Sequence, residues 1–243
     1  MAMAKPRQLI RPPDRRTSSS RPVLHEPVRH GAVRGSNSVR GAEVGLERCR
    51  SGQDGPMADT AALDDVLHTT GAIVAGVKPD QYGLPTPCPD YDVGTLINHI
   101  VGWVGLFADG ATQQPAKTDP ATYQVGPDPA AEFDASAQRI VAAFRDGAAD
   151  REIDLGNGPS PGSMILGMIL MEYIGHGWDL AMATDQPAPY SEQSIAAAKA
   201  AATANLKPEY RGPDKSFGDI VEVPDDAPPL DELIGLLGRN PRG

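Results

Sequence analysis

The chain has 243 residues, 40% of them hydrophobic, and a net charge of −10, enough for one domain with a real core or two small ones. Two cysteines, Cys49 and Cys88, exclude a disulfide framework and fit a reducing cytoplasm, and no run reaches the ~18 apolar residues of a membrane span. Residues 1–56 hold 11 Lys and Arg against 5 Asp and Glu, a net of +6, whereas residues 57–243 hold 11 against 27, a net of −16, so the globular part is not expected to bind a nucleic-acid backbone.

Residues 1–56 read as a disordered basic arm. They are rich in Arg, Ser, Pro and Gly and show no helical or alternating period. The continuous apolar region of a signal peptide is missing. The preferred reading is that translation begins at Met57, which opens directly into a helix with Asp59 or Thr60 as N-cap. The globular part is then residues 57–243.

The periodicity predicts a first helix over about 61–77, with Leu63, Val66, Leu67 and Ile73 inward. A Pro-rich loop follows. Asp92 caps a second helix to about Ala108, whose apolar face holds Val93, Leu96, Ile97, Ile100, Val104 and Phe107. Residues 115–129 are a loop. A third helix spans about 130–146, with Phe133, Ile140, Val141 and Phe144 inward. Residues 150–162 are irregular with a short extended piece. A fourth helix covers about 163–183, and an Ala-rich fifth about 192–206. The Pro- and Asp-rich tail ends in a short amphipathic piece at 230–237. Four principal helices and few strand signals predict an all-α four-helix bundle with short extra C-terminal helices.

The fourth helix carries the most informative pattern. Glu172, His176 and Asp179 interrupt an otherwise apolar run. Positions i, i+4 and i+7 fall within about 60° of one another on a helix. The result is one polar stripe on a helix that is apolar nearly all round, and such a helix is buried. A buried carboxylate without a partner is too costly to leave ionised. A divalent metal would answer that cost, and so would a hydrogen-bonded Glu–His pair.

A metal would need a third ligand. His25 and His30 lie in the arm, and His68 sits among Asp65, Thr69 and Thr70 as a solvated residue. His99 remains, at the edge of the second helix's apolar face. The set His99, Glu172 and His176 suits zinc, with nickel, iron(II) or manganese not excluded. Asp179, one turn beyond His176, is a candidate to orient that histidine, or it bonds a helix donor elsewhere. Trp103 and Trp178 read as packing before substrate platforms, and Asn98 as a solvated position before a pocket one. Cys88 in Pro87-Cys-Pro reads as a small buried hydrophobe.

The run Thr86-Pro-Cys-Pro-Asp-Tyr-Asp-Val-Gly-Thr-Leu-Ile-Asn-His99-Ile-Val-Gly, with Glu172-x-x-x-His176-Gly-Trp-Asp-Leu further on, resembles the DinB-like family. Within it the match is to the metal-binding domain of mycothiol-dependent maleylpyruvate isomerase and its relatives. The resemblance covers about 61–238, and the tail from Arg211 is similar to that of one stand-alone subgroup. It implies a DinB-like four-helix bundle with a divalent metal, usually zinc, on His99, Glu172 and His176. It also implies a low-molecular-weight thiol such as mycothiol, and a thiol-dependent S-transferase or isomerase acting on a small electrophile. The isomerase's further C-terminal domain is not supplied by the short tail here.

Two rivals stand beside that enzyme. One is a non-catalytic metal-binding or regulatory module, which would show a closed site or an exposed apolar patch. The other is a metal-free bundle with a buried polar pair. The expected partners are a small thiol and its electrophile, with no nucleic acid and no membrane. A homodimer is left open.

Overall fold

Helix α1 runs from Pro56 to Ala75, α2 from Val93 to Ala111, α3 from Pro129 to Arg145, and α4 from Gly162 to Ala183. They appear in a computed structural model that describes residues 56–212, 215 and 217–242. The expectation for the basic arm therefore lies, up to residue 55, outside the described residues. Helix α1 starts at Pro56 rather than after an Asp59 or Thr60 cap. Proline suits the first helical position because its missing N–H is one the helix leaves unpaired there anyway.

α1 and α2 each pack against both α3 and α4, which makes a four-helix ring. Their inward stripes form one core, including Leu63, Leu67, Leu96, Ile97, Ile100, Phe107, Phe133, Ile140, Ile165 and Ile169. Helices α5 (Glu192–Asn205) and α6 (Pro229–Leu236) extend this core, α5 against α4 and α1, and α6 against α5. The fold is all-α and DinB-like, with one small hairpin among the described residues. There β1 (Glu152–Asp154) pairs antiparallel with β2 (Pro159–Pro161), Ile153 opposite Ser160.

Side-chain caps set the starts of three helices, α2, α3 and α5. Asp92 Oδ1 accepts from the Thr95 amide at 2.8 Å, and Thr95 Oγ1 accepts from the Asp92 amide at 3.0 Å. This reciprocal box fixes where α2 begins, and hence where His99 points. Asp128 and Ser191 cap α3 and α5 one way only, their side-chain oxygens accepting from the amides of Ala131 and Ser194. Removing such a cap costs about 1 kcal/mol.

Helix α4 is the centre of the molecule. Every residue from Ile165 to Ala181 is buried, because α1, α2, α5 and the tail enclose it. No described helix is long and apolar enough to cross a membrane. Tyr173 lies on the core side of α4, its ring edge-on to Phe133 at 5.5 Å and to Phe107 at 6.3 Å. The Tyr173 carbonyl accepts from the Tyr190 hydroxyl at 2.9 Å and from Thr70 Oγ1 at 3.1 Å. Its own hydroxyl is buried with no hydrogen-bond partner among the described residues. A buried polar group without a partner destabilises a fold by about 1–3 kcal/mol. Tyr173→Phe keeps the ring and removes the unpaired hydroxyl, so we expect it to raise the urea midpoint, by about 1 kcal/mol of stability. A lowered midpoint would mean that the hydroxyl has a partner, such as a buried water.

Candidate metal centre

The polar stripe of α4 meets α2 at His99. His99 Nε2 lies 2.7 Å from Glu172 Oε1, and His176 Nε2 lies 3.6 Å from the same oxygen. The two imidazole centroids are 4.9 Å apart and edge-on. One donor atom from each of His99, Glu172 and His176 lies within 4.8 Å of the other two. Both histidines therefore turn the same nitrogen toward one carboxylate.

The opposite nitrogens are occupied as well. His176 Nδ1 sits 2.9 Å from Asp179 Oδ2, one turn along α4. His99 Nδ1 sits 3.0 Å from the Tyr91 hydroxyl. Partners of this kind fix ring orientation and tautomer. Asp179 in turn accepts from Arg239, whose Nε is 3.0 Å from both carboxylate oxygens and whose Nη2 is 2.8 Å from Oδ2. The Asp179 side chain is fully buried and that of Arg239 is 11% exposed. Breaking such a buried pair by removing one member costs about 3–5 kcal/mol.

Burial and charge set the protonation pattern. Burial lowers the pKa of His99 against the smaller opposing pull of Glu172, which favours the neutral ring. Burial pushes the Glu172 carboxyl up, yet His176, His99 and Arg239 together hold it below its ordinary value. Asp179 behaves likewise, with Arg239 the chief force overcoming burial. The neighbourhood thus holds two ionised carboxylates and one guanidinium.

The donors open onto a cavity of about 270 Å³. Its walls come from the Pro87–Tyr91 loop, from Met171, Glu172 and His176 of α4, and from tail residues including Phe217, Gly218 and Arg239. The loop is pinned by Thr86 Oγ1, which donates to the Cys88 and Tyr91 carbonyls at 2.9 and 2.8 Å. Asp90 and Asp219 line the cavity as exposed acids. Cys88 lines it too, and burial pushes its thiol up to about 11.

Of the residues singled out from sequence, His99, Glu172, His176 and Asp179 come together. Asn98 does not line the cavity. Its Oδ1 accepts from the Val125 amide at 2.9 Å and its Nδ2 donates to Gln124 at 3.1 Å, so it ties down the loop before α3. Trp103 stands behind His99 at 6.2 Å and against Phe107 at 5.7 Å, and Trp178 is buried; neither lines the cavity. His68 is exposed on α1. Tyr91 and Arg239 were missed. Tyr91 stood in the Pro-rich loop just before the Asp92 cap, a signal that was available. Arg239 lies 60 residues from Asp179 with no local pattern to announce it.

Residues 63–181 match the family model described as the mycothiol maleylpyruvate isomerase N-terminal domain. Two uncharacterised proteins of Mycobacterium tuberculosis, from strains CDC 1551 / Oshkosh and ATCC 25618 / H37Rv, are each 35% identical over 176 residues, 70% of this chain and 92% of theirs. No solved structure matches the chain. The span of the family model contains His99, Glu172, His176 and Asp179 and ends before Arg239. The chain belongs to the family of the mycothiol maleylpyruvate isomerase N-terminal domain.

Proposed function

We propose that the protein binds one divalent metal, zinc before nickel, iron or manganese, on His99, Glu172 and His176. The ion serves to activate a low-molecular-weight thiol, mycothiol being the candidate, for S-transfer to a small electrophile or its isomerisation. One observation carries the reading. Two histidines aim Nε2 at one buried carboxylate on a cavity wall, while each Nδ1 is tied to a partner.

The donor set fits an ion. Neutral imidazole and ionised carboxylate are the forms a metal requires. A tetrahedral zinc with bonds of about 2.0–2.2 Å spaces its ligands about 3.4 Å apart. The His176–Glu172 separation of 3.6 Å is close to that. The His99–Glu172 separation of 2.7 Å is a hydrogen bond that needs to open by about 0.7 Å. When bound, the ion would hold a thiol as thiolate, its nucleophilic form.

The chain's own residues supply the rest. Asp179 and Tyr91 keep the two rings aligned. Met171 and Phe217 offer apolar wall, and Asp90 and Asp219 offer oxygen acceptors for a hydroxyl-rich thiol. In an isomerisation the thiolate adds to a carbon–carbon double bond, the resulting single bond rotates, and the thiolate leaves with its electron pair. Atoms and charge are conserved over that cycle. The family's link to mycothiol supports an external thiol, and so does Cys88, whose raised pKa leaves little thiolate near neutrality. The reading places the protein in the cytoplasm, where small thiols stay reduced.

A structural-metal module is the second reading, and it would close the site with a fourth protein ligand. Among the described residues the nearby thiol, Cys88, groups with His176 and Asp179 rather than with His99 and Glu172. The cavity side of the donor set is left open, which favours the enzyme.

Two outcomes are expected. The full chain purified without a metal-affinity tag carries about one equivalent of metal by mass spectrometry, and His176→Ala carries under about 0.1, because three protein ligands are needed. A folded parent without metal sinks the reading. In a Cys49→Ser background, Cys88 reacts with iodoacetamide at pH 7.5 roughly 100-fold more slowly than a free cysteine. Its pKa is raised, so thiolate and rate keep growing with pH well past about 8.5, where an ordinary thiol levels off. A fast reaction at neutral pH would make Cys88 a nucleophile of the protein's own.

A further inference from the structure

Arg239 reaches the site from a turn 60 residues beyond Asp179, and two glycines face that turn. Helix α6 closes with the Arg239 amide donating to the Ile234 carbonyl at 3.1 Å. Gly238 then takes a φ of +82°, in the left-handed region that favours glycine. A Cβ there would also stand 2.7 Å from the Gly218 carbonyl oxygen, closer than packing allows. On α4, Gly175 lies against the turn. A Cβ at Gly175 would lie 3.3 Å from Leu237 Cδ1 and 3.7 Å from Arg239 Cζ. Arg211 anchors the same tail by donating from Nη1 to the Leu236 carbonyl at 2.8 Å.

What this seat delivers is a guanidinium in one orientation. Arg239 Nη1 donates to the Leu237 carbonyl at 3.1 Å, and Nε and Nη2 grip Asp179. The Asp179 oxygen that receives Nη2 is the one facing His176 Nδ1, and Nη2 itself lies 3.3 Å from that Nδ1. A planar guanidinium holds a carboxylate in a fixed plane, which a point-charge ammonium does not. Without it Asp179 would be a buried carboxylate with nothing to hold its plane.

We propose that Arg239 is a positioning residue of the metal centre, acting chiefly through Asp179 and at closer hand on Nδ1 itself to hold His176, so that the C-terminal turn from Leu237 to Arg239 is part of the site. The proposal rests on the metal reading above. It goes beyond it by assigning a role to a residue outside the span that matches the family model.

The test is zinc affinity by chelator competition, with the visible spectrum of the cobalt(II)-substituted protein, on the full chain. The variants are Arg239→Met, Arg239→Lys, Asp179→Asn and the double variant Asp179→Asn/Arg239→Met. Loss of an outer partner of a metal-binding histidine weakens affinity about 10–100-fold. We expect that loss, with an altered cobalt spectrum, in Arg239→Met and in Asp179→Asn, and partial recovery in Arg239→Lys. We expect the double variant to be no weaker than Asp179→Asn alone, because Arg239 has then lost the carboxylate that it orients. The double variant also removes the buried carboxylate, so it remains informative if Arg239→Met does not fold. A parent without metal removes the site reading and this proposal together. A parent with metal, beside a folded Arg239→Met of equal affinity and unchanged spectrum, removes the proposal alone. Additive losses in the double variant also overturn it.

Discussion

The interaction on which the rest depends is the compensation of two carboxylates inside an apolar helix. Glu172 and Asp179 are both buried on α4, in a segment where every neighbour along the chain is buried too. Neither can be ionised there alone. Glu172 is met by two imidazoles and Asp179 by a guanidinium. His176 lies on α4 itself, so the fold must bring two distant partners, His99 and Arg239, to one side of that helix. The placing of α2, the cap that starts it and the turn that ends α6 can be understood as serving that demand.

The bundle meets it by rigidity. α4 is enclosed by α1, α2, α5 and the tail, so its polar stripe has one direction in which to face. The opposite side is fixed by Tyr173 between Phe107 and Phe133. Two aromatic contacts one residue away from Glu172 leave the helix little freedom to rotate. The unpaired Tyr173 hydroxyl is a local cost of this arrangement, tolerated beside the larger gain of burying its ring.

The cavity is built from segments of different kinds. One wall is helix, with side chains aligned by the backbone hydrogen bonds of α4. The other walls are loop and tail, held by Thr86, by the Asp92 cap and by Arg211. Such a division gives fixed donors and walls that can differ between relatives without disturbing them. The Pro87–Tyr91 loop contributes twice, through the cavity wall and through the Tyr91 hydroxyl on His99.

Much of this was legible in the sequence. The helices followed from apolar periodicity, and their limits fell within a few residues except at the start of α1, where proline outweighed the expected Asp59 or Thr60 cap. Glu172, His176 and Asp179 could be put on one face because a helix fixes the angle between near neighbours. His99 could be chosen because its own helix has a readable apolar face. Asn98, adjacent to it, was harder to place, since a neighbour on a helix points about 100° away and only the fold shows that the loop before α3 lies there. Arg239 was beyond reach. Its contact with Asp179 spans 60 residues and depends on a glycine turn and the docking of α6. The sequence by itself determined the elements and the polar stripe, because both are short-range consequences of backbone geometry and burial. The tertiary structure alone decided what compensates the stripe, because charge pairing in a core is settled by which distant segments are packed against it.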